Sequence, residues 1–323
     1  MEHYPAKARS VFAGQRQFKE FMPELPEVET IRLQLDKALT GLKIVGIEVL
    51  NKKSFIGEIE EVKGLRVLGV KRRAKITIIE LEGGVYLAIH LKLTGQLIYR
   101  GKGEKVSQGK MEQKKGPFEV DGLPNKFTRV IISFDNGGKL YFNDLRMFGW
   151  IKVIKSSKLK VQSDSLQLKA EDEIPELRKL GPEANDPEAF SLEYFRKILE
   201  KTGKPIKLVI MDQEKLAGVG NIYANEALFA ARIMPTRKAN SLTAEEVGRL
   251  REAIINVLNE AIKYKGTSDE DEAYRQITGE KGNFQKFLKV YGKEGQKCPK
   301  CGGIIKRVSL GGRGTFFCEQ CQR

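Results

Sequence analysis

No stretch of this 323-residue chain comes near the ~20 uninterrupted apolar residues of a membrane-spanning helix, so no membrane partner is expected. The first 21 residues likewise lack the continuous apolar core of a secretory signal. Cysteine is scarce: there are four, all between 298 and 321, which excludes a disulfide framework spread over a secreted domain and fits a reducing cytoplasm. Internal repeats are lacking. Acidic residues are outnumbered, with 42 Asp+Glu against 57 Lys+Arg, for a net charge of +15. That excess attracts a polyanion through counterion release, and nucleic acid is the commonest polyanion. Charge alone does not separate this from a merely soluble basic protein or an RNA-binding component of a larger particle.

What is present suggests more than one domain, each with its own core. Leu25 to Leu39 reads as a helix: Pro26 suits its first turn, Val28, Ile31, Leu35 and Ala38 share a face, and Gly41 stops it. From Leu42 to Trp150 the pattern changes to short β runs. Arg73 to Leu81 and Val85 to Leu93 flank Glu82-Gly83-Gly84; Arg129 to Phe134 and Lys139 to Asn143 flank Asp135-Asn136-Gly137-Gly138. Hairpins with few helices between them predict an antiparallel sandwich. Residues 101–125 are rich in Lys, Gly and Gln and read as an exposed insertion. A polar stretch at 156–175 is the expected hinge. The second half is helical, with Thr243 and Glu246 as a capping box for a helix carrying Val247, Leu250, Ile254, Leu258 and Ile262, ended by Gly266.

Three constellations carry chemistry. Cys298-Pro299-Lys300-Cys301 and Cys318-Glu319-Gln320-Cys321 supply four thiolates for one tetrahedral zinc ion, with a β-hairpin between them. Four sulfurs leave no open position, so the metal is structural. The turn Gly311 to Thr315 would present Arg313 as a cation or simply leave it in solvent. Gly218-Val219-Gly220-Asn221-Ile222-Tyr223-Ala224 lets backbone approach a ligand. Asn221 could cap a helix starting at Ile222, whose amides would suit phosphate, although a tight helix corner needs the same residues. Met22-Pro23-Glu24-Leu25-Pro26-Glu27-Val28-Glu29 taken alone is a Pro-interrupted lead into a helix, with acids favourable to its dipole.

Taken together, from Met22 to Arg323, the chain resembles the formamidopyrimidine-DNA glycosylase family. The resemblance rests on Pro23 to Glu29, Arg72-Arg73-Ala74-Lys75, His90-Leu91-Lys92-Leu93-Thr94-Gly95, Asn143-Asp144-Leu145-Arg146-Met147-Phe148-Gly149, Gly218 to Ala224 and the cysteine ribbon with Arg313. It implies an α+β, multidomain fold. Its parts are a leader over 1–22, a β-sandwich catalytic domain over 23–155, a helix–two-turn–helix domain over 176–290 and a zinc finger over 291–323. It implies double-stranded damaged DNA as partner, a monomer, and a cytoplasmic, nucleoid-associated location in a bacterium.

By the same resemblance, the Pro23 amine attacks C1′ of the damaged nucleotide, and the iminium formed permits elimination of the flanking phosphates. Glu24 protonates the sugar ring oxygen, Glu27 supports it and Lys75 assists strand cleavage. Leu93, Arg146 and Phe148 fill the gap left by the flipped base; Leu93 departs from the usual methionine, although one apolar wedge can replace another. His90, Lys207, Asn221 and Arg313 contact DNA, Arg313 also counts among the catalytic residues, and residues 267–284 cover the flipped purine. Two alternatives stay open: the sister group acting on oxidised pyrimidines, which generally has Gly in place of Leu25, and a non-catalytic zinc-ribbon protein. The mechanism adds a demand, because a proline inside a chain has only an amide nitrogen and no nucleophilic lone pair. Met22 is therefore expected to be the true start, removed to expose Pro23, or else residues 1–22 are cut away.

Overall fold

The computed structural model describes residues 22–103, 122–155, 177–268 and 274–323. The leader up to residue 21, most of the expected insertion and the whole expected hinge at 156–175 lie outside the described residues. The first helix, α1 (Leu25–Leu39), has the expected bounds, with Pro26 in its first turn. Its cap is reciprocal: the Glu24 side chain accepts from the backbone of Glu27, and the Glu27 side chain accepts from the Glu24 N–H.

Nine strands follow, in two sheets. One has the order β1 (Ile44–Val49), β7 (Thr128–Phe134), β8 (Lys139–Asp144), β6 (Gly95–Arg100). The other runs β2 (Phe55–Ile56), β9 (Trp150–Lys155), β5 (Val85–His90), β4 (Ile76–Leu81), β3 (Val67–Arg73). The sandwich is antiparallel as expected, apart from the two-residue β2, which runs parallel to β9. Inward-facing residues of both sheets, among them Leu97, Ile132, Phe142, Ile79, Leu87 and Ile151, share one core with Leu25, Ile31, Leu35 and Leu39 of α1. That shared burial of alternate strand positions holds the layers together.

Two strand boundaries differ from expectation. The run taken as Arg73 to Leu81 is two strands: Arg73 ends β3, Ala74 turns with φ +50°, and Lys75 sits in the turn before β4. Arg72 and Arg73 hold this corner because both pair with Glu183 from the helical half, at 2.5 and 2.7 Å, and Glu183 also accepts from the Ala74 N–H. The run taken as Val85 to Leu93 stops at His90, and Leu93 lies in the turn before β6.

The second half carries α2 (Leu192–Glu200), α3 (Ile206–Ile210), α4 (Asn221–Ala230) and α5 (Ala244–Lys263). The Thr243/Glu246 capping box is present on α5, and Val247, Leu250, Ile254 and Leu258 are buried. Both α1 and α4 pack on α5, so the two halves share a core. The chain ends in a two-stranded hairpin, β10 (Lys306–Leu310) and β11 (Arg313–Phe317), joined by Gly311 and Gly312. Arg313 is thus the first residue of β11, one step beyond the turn where it was expected.

Candidate active site

The sequence leaves the N-terminus of α4 open between a phosphate cradle capped by Asn221 and a tight helix corner. Its cap is instead Gly220, with no side-chain cap of its own, and Asn221 is the first helical residue. The free amides receive the carboxylate of Glu24, 196 residues earlier: Gly220 N–H and Ile222 N–H donate at 2.8 Å and Tyr223 N–H at 3.4 Å. A carboxylate suits a helix N-terminus for the reasons a phosphate does, and here it occupies the place. The two glycines are explained by the same approach. A Cβ on Gly220 would collide with the Glu24 carboxyl, and one on Gly218, where φ is +99°, with Leu25.

Pro23 and Glu24 are buried directly before α1. Burial pushes the Glu24 carboxyl up to about 7; the neighbouring Glu27 adds to the rise, while Lys75 and the α4 amides oppose it. Glu27 is fully buried, and burial raises its pKa too. Its carboxylate accepts from the Tyr223 hydroxyl at 2.5 Å, Thr267 N–H at 2.7 Å and Glu24 N–H at 2.9 Å. It therefore ties the first residues of the sandwich half to the root of the loop at 267–284. Gly266 precedes that root with φ +75°, and a Cβ there would press on Glu27. The far side of the same loop is latched to the sandwich. The Gln34 side chain bonds that of Gln276 at 2.7 Å, Tyr99 N–H on β6 donates to the Ile277 carbonyl at 2.9 Å, and Arg100 reaches the Thr278 carbonyl at 3.0 Å.

Lys75 is buried, its ammonium 3.3 Å from the Val219 carbonyl. Burial lowers its pKa, Arg313 adds to the lowering, and Glu24 and Glu27 resist it. Lys207 was expected to contact DNA, but it is completely buried. Its ammonium is spent on the zinc hairpin, donating to the Gly314 carbonyl at 2.9 Å and the Thr315 hydroxyl at 2.8 Å, and burial brings its pKa down to about 7. Glu24, Glu27, Lys75, Lys207 and Arg313 thus act on one another electrostatically, whereas Asn221 stands at the edge, partly exposed.

A second group gathers at one end of the sandwich. Arg146 is half-buried, and Phe148 is 59% exposed beside Met147 at 47%. Leu93 is half-buried in the turn before β6. Large apolar side chains held in water are costly without a partner, which suits a wedge. His90 was expected to contact DNA; burial and the nearby Lys92 drive its pKa down to about 3, so it meets any phosphate as a neutral donor. Its Nδ1 accepts from Lys92 N–H at 3.0 Å, which leaves Nε2 to carry the proton.

The four cysteine sulfurs lie within 4.8 Å of one another, with Cys298–Cys321 at 3.8 Å and Cys301–Cys318 at 3.4 Å. Tetrahedral Zn–S bonds of about 2.3 Å place sulfurs roughly 3.8 Å apart, so the set fits a zinc ion. The residues that sequence reasoning missed are Tyr223, Thr267 and Glu183. Tyr223 lies inside a motif whose glycines, Asn221 and helix start carry the sequence reading; Thr267 and Glu183 carry no local signal.

Models of known families match nearly the whole of this architecture. The formamidopyrimidine-DNA glycosylase N-terminal domain matches residues 22–151, and the formamidopyrimidine-DNA glycosylase H2TH domain matches 180–272. A zinc finger found in FPG and IleRS matches 295–323. The formamidopyrimidine-DNA glycosylase of Pelotomaculum thermopropionicum is 38% identical over 94% of this chain and 99% of its own length. The crystal structure of the MutM (Fpg) protein of Thermus thermophilus is 37% identical, with a TM-score of 0.77 over 93% of this chain and 98% of that one. The Lactococcus lactis Fpg, solved in complex with an abasic site containing DNA, is 32% identical with a TM-score of 0.76, covering 93% and 100%. These likenesses define the class: a base-excision enzyme, a DNA glycosylase for damaged bases. The chain belongs to the formamidopyrimidine-DNA glycosylase family. Among the described residues no helix is long and apolar enough to cross a membrane.

Proposed function

We propose that this protein removes oxidised purines, 8-oxoguanine and formamidopyrimidines, from duplex DNA and then nicks the strand by β,δ-elimination through a Schiff base on Pro23. The free secondary amine attacks C1′ as the C1′–N bond to the base breaks, and the electron pair leaves with the base. Protonation of O4′ by Glu24 opens the sugar and gives the iminium. Loss of a C2′ proton then expels the 3′ phosphate, and a second elimination expels the 5′ phosphate. Lys75 attends the elimination, and Glu27 holds the Glu24 backbone in place. Leu93, Arg146 and Phe148 fill the vacated stack, while His90, Asn221 and Arg313 face phosphate or lesion. The cysteines hold one zinc ion, which supplies the crosslink that keeps the Arg313 hairpin folded. The protein works as a monomer in the cytoplasm.

The observation that carries this reading is Glu24. It is the residue after Pro23, buried on the amides of α4, with its proton held up to about 7. A carboxyl in that state is a proton donor at neutral pH. The test is borohydride trapping on duplexes carrying 8-oxoguanine opposite cytosine or an oxidised pyrimidine, using a chain made to begin at Pro23. The purine duplex should cross-link and the same preparation should carry about one zinc per chain. Preferential trapping on the pyrimidine duplex, or equal activity in a chain beginning at Met1, would overturn the assignment.

A further inference from the structure

The gap-filling side chains stand on two loops, 91–94 between β5 and β6 and 145–149 between β8 and β9. Each loop holds a non-glycine residue in the left-handed region: Lys92 at φ +51° and Met147 at φ +57°. Each also meets a glycine where a Cβ has no room. Gly95 lies against the Leu91 backbone, and Gly149 would place a Cβ 2.8 Å from the Phe142 ring and 3.0 Å from the His90 carbonyl. Left-handed backbone at large residues persists where the surroundings over-determine it.

What lies between the two loops is the carboxylate of Asp144, the last residue of β8, completely buried and paired across the sheet with Gly95. Its Oδ2 accepts from Gly149 N–H at 2.7 Å. Its Oδ1 accepts from Arg146 N–H at 3.1 Å and from the Thr94 hydroxyl in a short bond. The Thr94 oxygen in turn accepts from Arg146 N–H at 2.9 Å. Thr94 and Asp144 are 50 residues apart, so this bond, with that from Arg146 N–H to the Thr94 oxygen, ties together loops that the chain itself does not connect. From behind, Arg129 Nε donates to the Asp144 carbonyl at 2.8 Å. Every bond to the carboxyl oxygens goes to one of the two loops, and a buried polar group left without them would be costly.

We propose that Asp144 is a positioning residue that locks both loops into one rigid wedge, so that Leu93, Arg146 and Phe148 enter the duplex together. The inference rests on the base-flipping glycosylase reading given above. It concerns how the stack is opened, not how the sugar is attacked, so its signature is a split between substrates. An 8-oxoguanine duplex needs the base evicted, whereas a preformed abasic site does not.

The test uses the full zinc-bound enzyme beginning at Pro23, with 2-aminopurine beside the lesion as a fluorescent report of unstacking. Asp144→Asn keeps the volume but loses one acceptor. It should slow base removal at least about tenfold and abolish most of the fluorescence rise, with nicking of the abasic duplex reduced less than about threefold. Thr94→Val, which deletes only the bridging hydroxyl, should show the same split in milder form, and Thr94→Ser should restore wild-type behaviour. Wild-type fluorescence and base removal in both Asp144→Asn and Thr94→Val would overturn the proposal. Equal losses on the two substrates would overturn it as well, because they mark a residue that only holds the fold. The fluorescence rise requires no catalysis. A wild-type chain that brightened the probe but released no base would therefore sink the catalytic reading, while the variants' fluorescence still decided this one.

Discussion

The candidate catalytic cluster draws its groups from five separate stretches of chain, around Glu24, Lys75, Lys207, Tyr223 and Arg313, and buries nearly all of them. The proposed gap-filling edge draws its three side chains from two neighbouring loops and leaves Phe148 59% exposed. The contrast matches the work proposed for each. Shifting a carboxyl to about 7 or discharging a lysine near neutrality requires removal from water, and only long-range packing provides that. Entering a base stack requires an apolar side chain already in water, which a stiff local loop supplies. The cluster is therefore sensitive to charge and the edge to shape.

The largest effect should come from charge. Glu24→Gln removes the proton donor but leaves an oxygen to accept from the α4 amides. Base removal should fall roughly 10³-fold, the scale of a lost general acid, with lesion-duplex affinity held within about threefold. Single-turnover rates and gel shifts measure the two halves, and a variant that kept its rate would end the comparison at once. Next comes pH. The Glu24 proton is held below about 7 and lost above it, so base removal should drop about tenfold per unit as pH rises past that point. The free Pro23 amine acts in the opposite sense, being protonated at low pH, so the whole profile is a bell. A rate flat from pH 7 to 9 would remove Glu24 from its assigned role. The smallest effect should come from shape: Phe148→Ala should slow removal of a stacked lesion by roughly tenfold and leave the pH midpoint where it was. A moved midpoint would show that edge and cluster are not independent.

Features with local causes were legible in the sequence. The bounds of α1 follow from Pro26 and its apolar face, α5 starts at its capping box, and the four cysteines announce their site by spacing. Features set by distant partners were not. Ala74 turns into the left-handed region under the grip of Glu183, so a continuous strand was read across that corner. Asn221 is a good cap by residue type, but Gly220 takes the cap position, and the Glu24 carboxyl satisfies three of the amides there. The resemblance assigns Lys207 to DNA, and only the hairpin folded over it shows that its ammonium donates to Gly314 and Thr315 instead. The family resemblance named these residues ahead of the fold without revealing which would be buried.

The latch between the 267–284 loop and β6 has a consequence for the behaviour of the protein in a crowded cell. Among the described residues β6 is an outer strand of its sheet, and such a strand presents unpaired N–H and C=O groups to any passing chain. The Ile277 carbonyl takes the Tyr99 N–H, and Arg100 turns aside to Thr278. The segment expected to cover a damaged base therefore also blunts a sticky edge. Shortening it to alter lesion choice would uncover that edge, so solubility and specificity are bound to the same few residues.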